Sequence, residues 1–356
     1  MHMRRETIKR TVVACLSGLG LLGMPELRAQ DFHLTHYDAA KIYLNPAMTG
    51  MFDGFYRLHA NYRTQWKAVA SKPFTTGALA FDMPLKRFGI GVQVMNNRAG
   101  IGNFNVLSAM LSAAYDLRMD KDNNHHLAFG ISGGAIQKSV DVSRLTWDAQ
   151  YTQSNGGSFD NTLPSNEFFG SESTWIPDAH AGMMYYFAKE KARVNPFIGV
   201  SAFHVNQPTE SFFGSNNKLP IRYVTHIGGR INLSETWQLQ PRLLRMWQTN
   251  DRETVFGILA SYYLQESDAF LIFGPTMRLS GPMFDKAKQS ALGPLEDDAY
   301  AVELGLKMGR FTYRVSYDFN MSTLQPVSDG RGGVEFSLIY VARRSQPVVA
   351  PNCPRL

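Results

Sequence analysis

The sequence predicts an all-β chain that closes into an antiparallel transmembrane β-barrel of about fourteen strands with a polar lumen. Three observations lead there: a repeated two-residue alternation of apolar and polar side chains, connections that alternate between short and long, and a leader-like start with no later membrane helix. The clearest alternation runs from Arg310 to Asn320. There Phe311, Tyr313, Val315, Tyr317 and Phe319 fall on one face of a strand, and Thr312, Arg314, Ser316, Asp318 and Asn320 on the other. One such stretch also suits a soluble sandwich. Fourteen in succession, with no helical pattern between them, suit a barrel that meets lipid outside and polar groups inside.

The first thirty residues resemble a secretion leader. Arg4, Arg5, Lys9 and Arg10 precede an apolar run from Thr11 to Met24, and cleavage is expected near Ala29–Gln30. Removing residues 1–29 takes away five Lys/Arg and two Asp/Glu, so the net charge of +6 becomes +3. The sequence pI of about 9.2 therefore partly reflects the leader, and no nucleic-acid partner is needed to explain it. Hydrophobic residues make up 44% of the chain, yet the mean hydropathy is −0.22 and no mature segment has the apolar length of a membrane helix. Cys15 lies too early in the apolar run for a lipid-attachment box, and the only other cysteine is Cys353, so the mature chain forms no internal disulfide. The glycines at 18, 20 and 23 spell a dinucleotide fingerprint, but no strand precedes them.

The domain reading is a leader over 1–29, a periplasmic N-terminal segment over 30–52, the barrel over 53–342 and a periplasmic tail over 343–356. The first strand, 55–63, alternates Tyr56, Leu58, Ala60 and Tyr62 against Arg57, His59, Asn61 and Arg63. Further strands are expected at 74–82, 88–96, 104–116, 126–137, 175–187, 195–204, 221–233, 237–246, 254–264, 269–279, 299–308, 310–320 and 333–342. Segments 195–204 and 254–279 alternate poorly. Even-numbered connections are short and odd-numbered ones generally long, with 138–174, 205–220 and 280–298 the longest. Short turns on the periplasmic side and long outer loops are usual in outer-membrane barrels, which places both termini in the periplasm. Aromatic residues at strand ends, such as Trp66, Trp237, Tyr262 and Tyr340, suit the two membrane interfaces. Glycines such as Gly89, Gly91, Gly130 and Gly133 mark bends or close approach of interior groups.

Charged residues on the polar faces form the expected lumen set: Arg57, Arg63, Arg222, Arg230, Arg242, Glu303, Lys307, Arg314, Asp318 and Glu335, with His59 and His226. Inside, they can pair across the lumen; facing lipid, they would cost several kcal/mol near the midplane. Fourteen strands can enclose either a channel or a plug.

Several sequence words spell fragments of catalytic or metal-binding motifs. Gly130-Ile-Ser132-Gly-Gly134 spells a nucleophile elbow, but that motif requires a strand-to-helix turn, and Ser132 sits in mid-strand. His180, His204 and His226 lie on different strands without a carboxylate spacing that marks a catalytic base. His33 and His36, and the pair His125–His126 in a charged hairpin, lack metal-ligand spacing, and Asp120–Asn124 lacks the bidentate Glu of a calcium loop. No catalytic residue, metal ligand or cofactor is assigned.

Several words resemble the PorP/SprF family of outer-membrane proteins associated with type IX secretion and gliding in Gram-negative bacteria. Tyr43-Leu44-Asn45-Pro46-Ala47 followed by Gly50 is similar to the family's opening, and Tyr62-Arg63-Thr64-Gln65-Trp66 to the element after its first strand. Phe81-Asp82, Arg98-Ala99-Gly100, Asp141–Leu145, Asp148-Ala149-Gln150, Gly199–Ser201, His204, Gln207-Pro208 and Leu219-Pro220 continue the likeness, and Cys353-Pro354-Arg355 resembles its ending. Ala149 and the terminal Leu356 depart from the pattern and leave the branch and the cargo open. The resemblance implies a non-enzymatic barrel that helps particular secreted proteins reach or stay on the cell surface, meeting the cargo's C-terminal sorting domain, periplasmic secretion components and outer-membrane lipids. It implies partner-binding roles for Tyr43, Leu44, Asn45, Pro46, Arg63, Gln65, Trp66, Cys353, Pro354 and Arg355. The rival readings are a diffusion channel for fatty acids or small solutes and a barrel hydrolase built on Ser132.

Overall fold

A computed structural model describes residues 32–343 apart from 71, 154–156, 168–169, 190–191, 213–215, 250, 281–295 and 324. Fourteen strands close into one antiparallel barrel. In chain order they are β1 (Arg57–Gln65), β2 (Phe74–Leu85), β3 (Phe88–Ala99), β4 (Phe104–Arg118), β5 (His125–Ser139), β8 (Ser173–Phe187), β9 (Val194–Phe203), β10 (Arg222–Asn232), β11 (Trp237–Gln248), β12 (Asp251–Leu264), β13 (Ala269–Ser280), β14 (Glu296–Met308), β15 (Phe311–Asn320) and β16 (Arg331–Val341). Two short strands between β5 and β8, β6 (Tyr151–Thr152) and β7 (Ser158–Phe159), pair with each other outside the barrel. Every barrel strand pairs with its chain neighbour in the barrel, and β1 closes the ring on β16 from Arg57↔Val341 to Gln65↔Gly333. Closure leaves no unpaired edge, the condition for strands to stand in lipid.

The alternation read from β15 is the alternation of the wall. Phe311, Tyr313, Val315, Tyr317 and Phe319 are exposed outward, while Arg314, Ser316, Asp318 and Asn320 are buried inside. Leu79, Leu111 and Ile131 continue the outward apolar surface, each more than 60% exposed. Such a band belongs against hydrocarbon rather than water. Aromatic pairs mark its limits, including Trp237 with Tyr262 (4.8 Å between ring centroids) and Trp66 with Phe74 (4.8 Å).

The start of β1 and the end of β16 share one rim, here called proximal. Its turns are short: Lys86–Arg87, Met119–Asn124, Leu233–Thr236, Gln265–Asp268 and Gly309–Arg310 among them. The distal rim carries the long connections 140–172, 204–221 and 281–295, although 249–250 there is tight where a longer loop was expected.

The N-terminal segment departs from the sequence expectation. Instead of lying outside the barrel, residues 33–51 run through its lumen. His33 stands at the distal rim, with its Nδ1 3.1 Å from Glu253 near the β11–β12 turn. Asp38 reaches Arg242 and Arg314 at mid-barrel. The Gly50 N–H donates to Asp82 at 2.7 Å, and the Phe55 N–H to Ala342 at 2.7 Å on the proximal rim. The described chain therefore starts at one rim and leaves β16 at the other. Residues 343–356 of the expected tail lie outside the described residues save Arg343.

The inner wall is built to receive this segment. Tyr37, Leu44, Ala47, Met48 and Met51 form one buried apolar cluster with Met184, Phe203, Val224, Leu244, Met246 and Val255 of the wall. These inward apolar residues are why 254–264 alternates poorly: both faces are apolar where the wall meets the segment rather than water.

Candidate functional site

The candidate site is the filled lumen. One turn of helix, Lys41–Leu44, leads into Asn45, whose extended backbone and side chain start a 3-10 turn at Pro46–Met48. The Asn45 Oδ1 accepts from the Ala47 N–H at 2.9 Å, the usual gain from an Asn cap, while Pro46 supplies a fixed φ and brings no N–H that would need an acceptor. The Asn45 Nδ2 then donates to the carbonyls of Met183 (3.1 Å) and Val200 (3.2 Å) and lies 3.1 Å from His226 Nε2. Ser201 Oγ donates to the Leu44 carbonyl at 2.9 Å. Asn45 is thus a buried bolt between the segment and β8, β9 and β10.

Close approach is possible because the facing wall lacks side chains at selected points. A Cβ on Gly130 would fall onto Pro46 and Ala47, one on Gly182 onto Asn45, and one on Gly89 onto the Thr49 carbonyl. Gly50 itself adopts φ +73°, which permits the turn beside Gly89. The Asn-Pro-Ala…Gly word is read by a row of inward glycines.

Charge fixes the other end. Arg63 is 2.7 Å from Asp318 and 3.0 Å from Glu335, and it donates to Thr35 Oγ1 at 2.8 Å. Glu335 in turn accepts from the backbone N–H of Thr35 (2.7 Å) and His36 (3.0 Å) and from Asn61 Nδ2 (2.8 Å). At mid-barrel, Arg242 and Arg314 both bond to Glu303 of the wall and to Asp38 of the segment. Arg278 bridges Asp298 and Asp318. Arg57 forms a two-point pair with Asp82, 2.9 and 2.7 Å, and the same carboxylate holds Gly50. Buried ions need partners and hydrogen bonds on their remaining valences, and here the segment supplies several of them.

Of the expected lumen charges, Arg57, Arg222, Arg242, Glu303, Arg314, Asp318 and Glu335 are buried inside. Arg222 donates to the Tyr43 hydroxyl at 2.8 Å and lies over the Phe203 ring at 4.3 Å. Arg230 is half-buried, whereas Lys307 is exposed near the proximal turn at Gly309. The expected docking group also changes character. Leu44, Asn45 and Pro46 are buried in the lumen, so they hold the segment and present no free surface. Arg63 is a lumen hub, Gln65 buttresses it at 3.0 Å, and Trp66 turns the chain at the distal rim with φ +61°. Cys353, Pro354 and Arg355 lie outside the described residues.

Asp38, Asp82, Arg278 and Asp298 were absent from the expected charge set. Asp38 and Asp298 lie in or beside stretches with no clean alternation, whereas Asp82 and Arg278 each lie within an expected strand. His126 is no solvated turn residue: it is buried, stacked on Tyr186 at 4.5 Å and bonded to Asp116 at 2.9 Å. The Asp120 oxygens accept from the backbone N–H of His125 and Asn124, which holds this carboxyl below its ordinary range and leaves a self-contained turn. Ser132 lies in mid-β5, opposite His180 in the β5–β8 ladder. The ladders with β4 and β8 flank it on both sides, and no sharp turn exposes it.

Solved structures with this barrel include a deletion mutant of the TodX monoaromatic hydrocarbon channel, at 14% identity and TM-score 0.50 over 86% of this chain and 94% of that one. The P. putida toluene transporter TodX has 10% identity and TM-score 0.44 over 86% and 94% of the two chains. A Pseudomonas aeruginosa FadL homologue has 12% identity and TM-score 0.44 over 85% and 94%. At these identities the likeness is one of fold. No curated protein matches the sequence. Residues 26–340 match the family described as type IX secretion system membrane protein PorP/SprF. That match spans nearly the whole barrel, and the chain is a member of the PorP/SprF family of type IX secretion system outer-membrane proteins.

Proposed function

We propose that this barrel is a non-enzymatic adaptor of type IX secretion, serving surface delivery and attachment of particular cargo and, through it, gliding. The observation that carries the reading is the filled lumen: a segment bolted by Asn45, Asp38 and Gly50 leaves the wall and its connections as the working surfaces. The distal rim, with 140–172, 204–221 and 281–295, faces the cell exterior and meets the cargo's C-terminal sorting domain. Trp66 contributes to that rim. The proximal rim and the tail containing Cys353, Pro354 and Arg355 face periplasmic secretion components.

The test compares intact protein with a variant lacking 345–356. Purified intact protein in planar bilayers is expected to show little steady conductance. The truncated protein is expected to insert as a heat-modifiable barrel, lose co-purifying periplasmic components and leave cargo inside the cell. Large stable openings in the intact protein would favour a diffusion channel instead. Normal cargo delivery by the truncated protein would overturn the assignment of the tail.

A further inference from the structure

Beneath the distal rim, β8 and the turn after β9 bring together three side chains that the secretion reading does not use. The β8–β9 ladder ends at Ala181↔Ala202. Beyond that point the 204–207 turn takes over as the neighbour of β8. The Val205 N–H donates to the Ala179 carbonyl at 2.9 Å, Asn206 Nδ2 to the Pro177 carbonyl at 2.8 Å, and Asn206 Oδ1 accepts from the Ala179 N–H at 3.1 Å. His204 is held at φ +58°, a sparsely populated backbone state for a residue with a Cβ. That state goes with a ring directed at Asp178: His204 Nδ1 is 2.8 Å from Asp178 Oδ2. His180 Nε2 is 2.8 Å from the same oxygen.

We infer that Asp178, His180 and His204 form a binding site for one divalent transition-metal cation of the zinc class. The three ligand atoms all lie within 4.8 Å of one another. Two imidazole nitrogens and a carboxylate oxygen are a zinc ligand set, with a fourth position left for water or a loop donor. Tetrahedral ligation with bonds of about 2.0–2.1 Å separates ligand atoms by roughly 3.3 Å, so the two 2.8 Å contacts need to open by only about half an ångström.

The charge balance points the same way. Asp82, Asp298, Asp318, Glu303 and Glu335 each face an arginine. Asp178, whose side chain is fully buried, meets the Ala179 N–H and the two histidines. A buried carboxylate requires positive charge, and a cation shared with the two imidazoles would supply it. Among the described residues a second such triad, His33, Glu253 and Asp298, already has Arg278 on Asp298. A bound ion at Asp178 would clasp the connection 204–221 to β8 and stiffen the distal rim.

The experiment uses the whole mature barrel, prepared without a histidine tag, stripped with chelator and titrated with Zn²⁺ by calorimetry in detergent micelles. One zinc per barrel is expected. Asp178→Asn, His204→Ala and His180→Gln should each weaken binding at least 100-fold, with heat-modifiable migration reporting that the barrel is intact. Co²⁺ bound to the parent should show the visible absorption of a four-coordinate N/O site, and that band should vanish in whichever variants fold. Zinc should also slow proteolytic cleavage within 204–221 in the parent alone. No uptake by the parent at micromolar zinc, or equal uptake by the variants, would overturn the inference and leave the group as an imidazolium–carboxylate hydrogen-bond triad.

Discussion

Replacing Asp38 by Asn tests whether ion pairing seals the lumen. Asp38 is the carboxylate that the N-terminal segment lends to Arg242 and Arg314, and without it both guanidinium groups share Glu303 alone. Removing one partner of a buried pair costs about 3–5 kcal/mol. Asp38 retains 24% exposure and the Asn carbonyl still accepts one hydrogen bond, so the expected loss is about 2–3 kcal/mol. At about 1.4 kcal/mol per tenfold, the displaced segment becomes roughly 30- to 140-fold more populated. The assay is maleimide labelling of a cysteine at Ala40, which is 4% exposed, in a Cys353→Ser background. Under slow-labelling conditions the rate follows the open population, so Asp38→Asn should raise it by that factor. A rate within twofold of the parent would refute the idea that Asp38 anchors the segment.

Gly130→Val should release the same segment, because its side chain would occupy the place of Pro46 and Ala47; Gly133→Ala, which meets only the Asp178 carbonyl at 3.9 Å, should not. Arg63→Ala leaves Asp318 and Glu335 short of a buried cation and should lower the temperature at which the barrel loses its fast gel mobility, by an amount matching about 3–5 kcal/mol. Cysteine at Asn216 on the distal rim should label on intact cells, and cysteine at Asn123 on the proximal rim only after the outer membrane is opened; the reverse pattern would invert the proposed orientation. The mature protein should fractionate with outer membranes, and a soluble, heat-insensitive product would contradict the barrel.

The barrel was legible in the sequence because strand alternation is local. Each of β1, β4, β5, β15 and β16 writes its two faces into consecutive residues, and a closed wall in lipid demands that pattern from nearly every strand. Arg314 and Asp318 announced an interior for the same reason. What filled the interior was not legible. Residues 33–51 have no period of their own, since their order comes from partners up to 300 positions away, as Thr35 with Glu335 shows. The poor alternation of β12 carried the signal, but an inward Val255 or Leu259 tells only that something apolar lies opposite, not which segment it is. Gly89 and Gly130 pointed to close approach without naming Thr49 or Ala47, and nothing local marked Gly182 as the partner of Asn45. Asp178, His180 and His204 likewise become one group only where the β8–β9 ladder ends. Strand identity is decided by neighbours two residues apart, and the lumen by neighbours that only ring closure brings together.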